Sequence, residues 1–123
     1  MRGADARRLI AGFGFAWEGI RYTARTQPNW RIHGIIAVLA IALGFALRVQ
    51  PVELAVLSLS IGLVLALECM NTALETAIDA VGGPPSFAAK AAKDAAAAGV
   101  LIGAVMAVVV GVIIFGPRLV ALL

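Results

Sequence analysis

The chain has 123 residues, of which 62% are hydrophobic and 14% charged, and a formal net charge of +3 at neutral pH. A soluble domain averages about 45–50% apolar residues, so water cannot be the main solvent for this chain and the bilayer takes up the excess. An ordinary soluble enzyme is excluded, and the length supports one domain, residues 1–123.

In chain order, Met1 to Arg8 has no uninterrupted apolar run with a cleavage site, so no removable signal peptide is expected. Residues 4–25 read as an amphipathic surface helix. At 100° per residue, Leu9, Ile10, Phe13, Trp17, Ile20 and Ala24 share one arc, with Arg7, Glu18, Arg21 and Arg25 on the polar side. Arg8, Phe15 and Tyr22 group near the other edge of that polar side. Such a helix suits the headgroup zone, apolar face down.

Gln27-Pro28-Asn29 breaks the pattern, and Asn29 is the expected N-cap of the next helix. The first span is expected over 32–47, between Arg31 and Arg48. It is short for a core needing ~20 residues, and Trp30 with the arginine stems covers the shortfall. The second helix is expected to start at Pro51 and stop at Val81, before Gly82-Gly83-Pro84-Pro85. At 1.5 Å per residue it is roughly 45 Å long and must emerge from a hydrocarbon core of about 30 Å, which assigns 52–71 to the membrane.

Ser86 is the expected cap of the helix that carries Lys90, Lys93 and Asp94 and then the third span, 95–116. Within it Ala95, Gly99, Gly103, Ala107 and Gly111 recur every fourth residue, the pattern of a close helix-packing surface. Arg2, Arg7, Arg8, Arg21, Arg25 and Arg31 precede the first span, and Lys90 and Lys93 follow the second. The positive-inside rule then places the N-terminus and the 82–94 connection in the cytoplasm. The fold class is therefore an all-α integral membrane protein, an N-terminal amphipathic surface helix plus three transmembrane helices. Cys69 stands alone, so no intramolecular disulfide or cysteine metal site forms, and it reads as a small apolar filler.

Glu68, Asn71, Glu75 and Asp79 fall on one face of the second helix. Glu68 lies at or just inside the hydrocarbon boundary, where an ionised carboxylate is costly and usually functional; the others step outward. Lys93 and Asp94 approach this face from the start of the third span. Carboxylates beside a lysine, a helix N-terminus and a basic first helix suit a polyphosphate held with a divalent cation. A carboxylate at the boundary can accept the proton of a hydroxyl presented from the bilayer. Neither a Walker A loop nor a protein-kinase glycine loop is present; Gly12-Phe13-Gly14 reads as helix packing.

The run Glu68-Cys-Met-Asn71-Thr-Ala-Leu-Glu75-Thr-Ala-Ile-Asp79, followed by Ala91-Ala-Lys93-Asp94, resembles the signature of the bacterial diacylglycerol kinase family of small membrane kinases. The resemblance covers nearly the whole chain. It implies Glu68 as general base on a lipid hydroxyl, Glu75 as ligand of the Mg²⁺ on ATP, and Asn71 and Asp79 in support. It implies nucleotide contacts from Arg8, Phe15, Gln27, Glu75, Pro84, Pro85, Ser86, Lys93 and Asp94. It further implies a homotrimer with shared sites in the bacterial inner membrane, and no nucleic-acid partner.

Gln27 stands where the best-known members carry a metal-binding glutamate, so its amide oxygen offers a weaker hold on a second Mg²⁺. His33 replaces an acidic residue of some members and reads as an interfacial hydrogen-bonding histidine. The stretch Thr23 to His33, with Asn29, Trp30 and Arg31 at the substrate, and the ending Ile114-Phe-Gly-Pro117 resemble the undecaprenol kinase branch. Undecaprenol is thus the expected acceptor, with diacylglycerol as the alternative. From other classes, a cation-handling membrane protein or a structural subunit would also explain boundary carboxylates.

Overall fold

The computed structural model describes residues 3–123; Met1 and Arg2, the latter one of the residues behind the expected topology, lie outside them. The chain forms α1 (Gly3–Thr26), α2 (Pro28–Ala46), α3 (Pro51–Val81) and α4 (Phe87–Val120), with no strand among the described residues. Three of these, α2, α3 and α4, are long and apolar enough to cross a membrane.

Each boundary has a local cause. Gln27 caps α2 in extended backbone (φ −109°, ψ 109°) without a side-chain hydrogen bond, and Pro28 occupies the first turn. The expected cap at Asn29 is therefore wrong. Proline has no N–H to lose and its φ is preset for a first helical position, so the helix starts one residue before the asparagine. The opposite end of α2 closes as a Schellman motif: Val49 N–H donates to Gly44 O (3.0 Å) and Arg48 N–H to Phe45 O (3.2 Å). This places Arg48 at φ 51°, left-handed backbone that favours glycine.

Two residues later α3 begins with a capping box, in which Gln50 N–H donates to a Glu53 carboxylate oxygen at 2.7 Å. It runs 31 residues to Val81 and is stopped by Gly82 (φ 67°) and Gly83 (φ 102°). Ser86 caps α4, its Oγ accepting from Ala89 N–H at 3.1 Å. The helix continues past the expected span end at 116, through Pro117 to Val120. Arg118 secures that last turn, donating to Ile114 O at 2.6 Å and forking onto Glu53 at 3.0 and 2.6 Å.

The helices pack antiparallel in chain order, α3 against α4 most extensively. Leu57, Ile114 and Phe115 form a buried cluster with Leu43, Leu47 and Val49 near the α2–α3 turn. Gly44 is buried here, and a Cβ would meet Val49 and Leu54 only at ordinary contact distance, 3.5 and 3.6 Å. Of the glycines in the expected packing stripe of α4, only Gly103 is seated tightly: a Cβ there would lie 2.7 Å from Leu67. At Gly99 and Gly111 nothing lies within 4 Å. An apolar groove of about 420 Å³ opens between α2, α3 and α4, running from His33 and Ile36 past Leu43 and Ala107 to Phe115. Among the described residues of α1 only Thr23 is buried, while Leu9, Ile10, Phe13 and Trp17 are exposed.

Candidate active site

The polar face of α3 lies where the C-terminal end of α1 and the start of α2 reach it. Burial falls along this face in the direction of the chain. The Glu68 side chain is 2% exposed and Asn71 is 9% exposed, Glu75 is half-buried and the Asp79 side chain is 68% exposed. From Glu68 to Glu75 is about 10 Å along the axis and to Asp79 about 16 Å. One helix therefore carries a carboxylate into the packed interior, a second at its margin and a third in the open.

Facing residues on α2 step back one turn for each turn forward on α3. His33 Nε2 lies 3.4 Å from Glu68 Oε1. Nearer the helix start, the Gln27 amide donates from Nε2 to Glu75 Oε2 at 3.2 Å. Gln27 and Glu75, joined only by resemblance in the sequence, are thus in direct contact. From α1, the Tyr22 hydroxyl lies 3.5 Å from Thr76 Oγ1, and Thr23 is buried.

Three buried polar atoms lack a hydrogen-bond partner in this region's residues: Glu68 Oε1, Asn71 Oδ1 and Trp30 Nε1. A buried polar group without a partner costs about 1–3 kcal/mol, so such atoms on adjacent helices are unusual in a finished core and suit a polar ligand. Thr72 by contrast is satisfied internally, its hydroxyl donating to Glu68 O at 2.8 Å. Asn29 and Arg31, expected at the substrate with Trp30, are exposed on α2.

The connection from α3 to α4 encloses a second pocket of about 610 Å³, lined by Asp79, Pro84, Pro85, Ser86, Lys93 and Asp94 among others. Five of the expected nucleotide residues are thereby brought together. Lys93 is engaged with Asp79 at 2.5 Å and Asp94 with Lys90. Arg8 and Phe15 are exposed on α1 and do not line this pocket. The pocket adjoins Asp79, one turn of α3 from Glu75.

The contact between His33 and Glu68 is the residue pairing that reading the sequence missed. His33 lies 13 residues before the end of α2 and Glu68 17 residues after the start of α3, about one turn apart in simple counting, so the pairing depends on how the two helices dock.

Comparison with known proteins gives a consistent picture. The family model for prokaryotic diacylglycerol kinase matches residues 14–115. The chain is 41% identical over 119 residues to a diacylglycerol kinase of Synechocystis sp., covering 96% of this chain and 68% of that protein. It is 36% identical over 115 residues to the undecaprenol kinase of Bacillus subtilis, covering 94% of each. With the diacylglycerol kinase of Escherichia coli it shares 30% identity over 102 residues, 83% of this chain and 84% of the other.

Proposed function

The chain belongs to the prokaryotic diacylglycerol kinase family, and from that premise we propose that it transfers the γ-phosphate of ATP to undecaprenol, a membrane lipid alcohol. The observation that carries the reading is Glu68, a 2% exposed carboxylate with an unpartnered oxygen, 3.4 Å from His33, which lines the apolar groove. Glu68 accepts the proton as the lipid O–H bond breaks. The freed oxygen forms a bond to the γ-phosphorus, and the bond from that phosphorus to the β–γ bridging oxygen breaks, its electron pair leaving with ADP. Phosphoryl transfer of this kind depends mainly on positioning and charge neutralisation.

The residues present suit one Mg²⁺ brought with the nucleotide. Glu75 offers a half-buried carboxylate, and Asn71 Oδ1 is a buried carbonyl oxygen with no donor. Gln27 could add its amide oxygen. No group of three His, Cys, Asp or Glu side chains gathers as a cation cage among the described residues. Magnesium characteristically takes one or two carboxylates and completes its shell with phosphate oxygens and water. When bound, the ion would neutralise charge on the phosphates. Lys93, Asp94 and the Pro84–Ser86 turn hold the nucleotide, in the pocket that adjoins Asp79.

The acceptor assignment draws support from the Bacillus subtilis relative, which matches this chain over nearly the full length of both. Diacylglycerol is the second reading, favoured by the higher identity with the Synechocystis relative. We place the chain in the bacterial inner membrane with its N-terminus cytoplasmic, as a homotrimer with sites shared between copies. In that assembly Arg8 and Phe15 reach the nucleotide of a neighbouring copy.

The test offers γ-labelled ATP to the purified protein with undecaprenol and diacylglycerol in parallel, with and without Mg²⁺. Magnesium-dependent labelling favouring undecaprenol is expected. Equal labelling of both lipids overturns the acceptor assignment, and labelling of neither overturns the kinase reading for this chain.

A further inference from the structure

We propose that His33 is a positioning residue for Glu68: its Nε2–H donates to Glu68 Oε1 and holds the other carboxylate oxygen toward the incoming hydroxyl. This rests on the reading of Glu68 as the base. The contact is 3.4 Å, between a side chain 2% exposed and one 24% exposed. The approach is close, yet it is not aligned as a hydrogen bond, so Oε1 remains unpartnered. A small rotation of the imidazole completes the bond, in keeping with the long hydrogen bonds that active sites show before substrate binds.

Among the described residues, His33 is the one cationic or titratable nitrogen within 4 Å of the Glu68 carboxylate. The remaining ion pairs among the described residues, Lys90–Asp94, Lys93–Asp79 and Arg118–Glu53, lie elsewhere. Of the other buried polar side chains, Asn71 and Thr72 lie one turn away on the same helix as Glu68, and the Thr72 and Thr23 hydroxyls donate to backbone carbonyls of their own helices. His33 comes instead from the facing helix, and it also lines the apolar groove together with Ile36 and Ala37. The ring is therefore placed where a hydrocarbon chain and its terminal hydroxyl would meet the base. A carboxylate on a rotatable stem, buried and otherwise unpaired, needs such a tether to present one oxygen consistently.

The test compares His33→Ala, His33→Gln, Glu68→Gln and the double variant Glu68→Gln/His33→Ala in lipid micelles, recording kcat, KM for ATP and KM for the lipid. Glutamine carries an amide N–H at close to the reach of Nε2. Expected are a kcat loss of about 10–100-fold for His33→Ala with KM for ATP unchanged, and recovery to within a few-fold of the parent for His33→Gln. Glu68→Gln should lose about 10²–10⁴-fold, and the double variant should fall no lower.

If His33→Ala does not assemble, His33→Met, of similar bulk and without an N–H, takes its place. The proposal is overturned if the alanine or methionine variant keeps the parent's kcat while Glu68→Gln is inactive, if glutamine fails to recover turnover, or if the double variant loses further activity. Parent-like turnover by Glu68→Gln instead removes the base assignment itself, and the positioning role with it.

Discussion

Among the side chains of the site, Gln27 and Glu75 form the contact with the plainest electrostatic consequence. The amide of Gln27 donates to Glu75 Oε2 at 3.2 Å, a bond that a neutral residue makes without repulsion. In Gln27→Glu two carboxylates would share that space, which disfavours the metal-free protein and favours any divalent cation between them. The Mg²⁺ concentration for half-maximal turnover should fall several-fold, and the metal-free melting midpoint should also fall. An unchanged magnesium dependence would place the ion away from this pair. Such pairings were partly readable in the sequence. The face carrying Glu68, Asn71, Glu75 and Asp79 follows from helical spacing alone, whereas the approach of His33 to Glu68 depends on how two helices dock. No local pattern records that docking.

Element boundaries divide in the same way, according to whether a nearby residue or a distant contact decides them. Pro51 and Gly82-Gly83 delimit α3 by their own backbone chemistry, and Ser86 caps α4 through a single hydrogen bond. Asn29 is a good N-cap residue by type, but the adjoining Pro28 takes the first helical turn and moves the cap to Gln27. The extension of α4 beyond Pro117 was hidden because it depends on Arg118 reaching Glu53 on another helix. Similarly, a small-residue stripe in α4 was legible, but not that Gly103 alone of its glycines would be seated against Leu67.

At the α2–α3 turn, Arg48 holds a left-handed φ of 51° that costs an L-residue about 1–2 kcal/mol. Arg48→Gly relieves this and gives back part of the gain to the more flexible unfolded chain. A net stabilisation of about 0.5–1 kcal/mol is expected, read as a higher thermal midpoint in detergent. A lower midpoint would mean that the arginine side chain contributes more than its backbone loses.

The whole molecule exposes most of its apolar surface. In the most hydrophobic window of each spanning helix only 11%, 17% and 22% of residues are buried, so lipid or further copies of the chain must cover the rest. The buried apolar cluster of Leu57, Ile114 and Phe115 lies toward the α2–α3 turn, while the buried polar atoms lie toward the opposite end. The apolar cluster and the unpartnered polar atoms thus occupy different depths of one small bundle.

The Schellman closure of α2 and the capping box of α3 leave almost no slack in the chain between them. They act as a phase reference: the azimuth of every α2 side chain relative to α3 is set at the turn and carried about 21 Å along the helix to His33. A lesion on the far side of the membrane should therefore reach the chemistry as a rotation rather than as unfolding. One alanine inserted after Ala42 would turn His33 by about 100° and shift it about 1.5 Å relative to Glu68. Its kcat should fall at least as far as that of His33→Ala while the protein still assembles. Turnover at the parent's rate would show that the helices reset their phase independently of the turn.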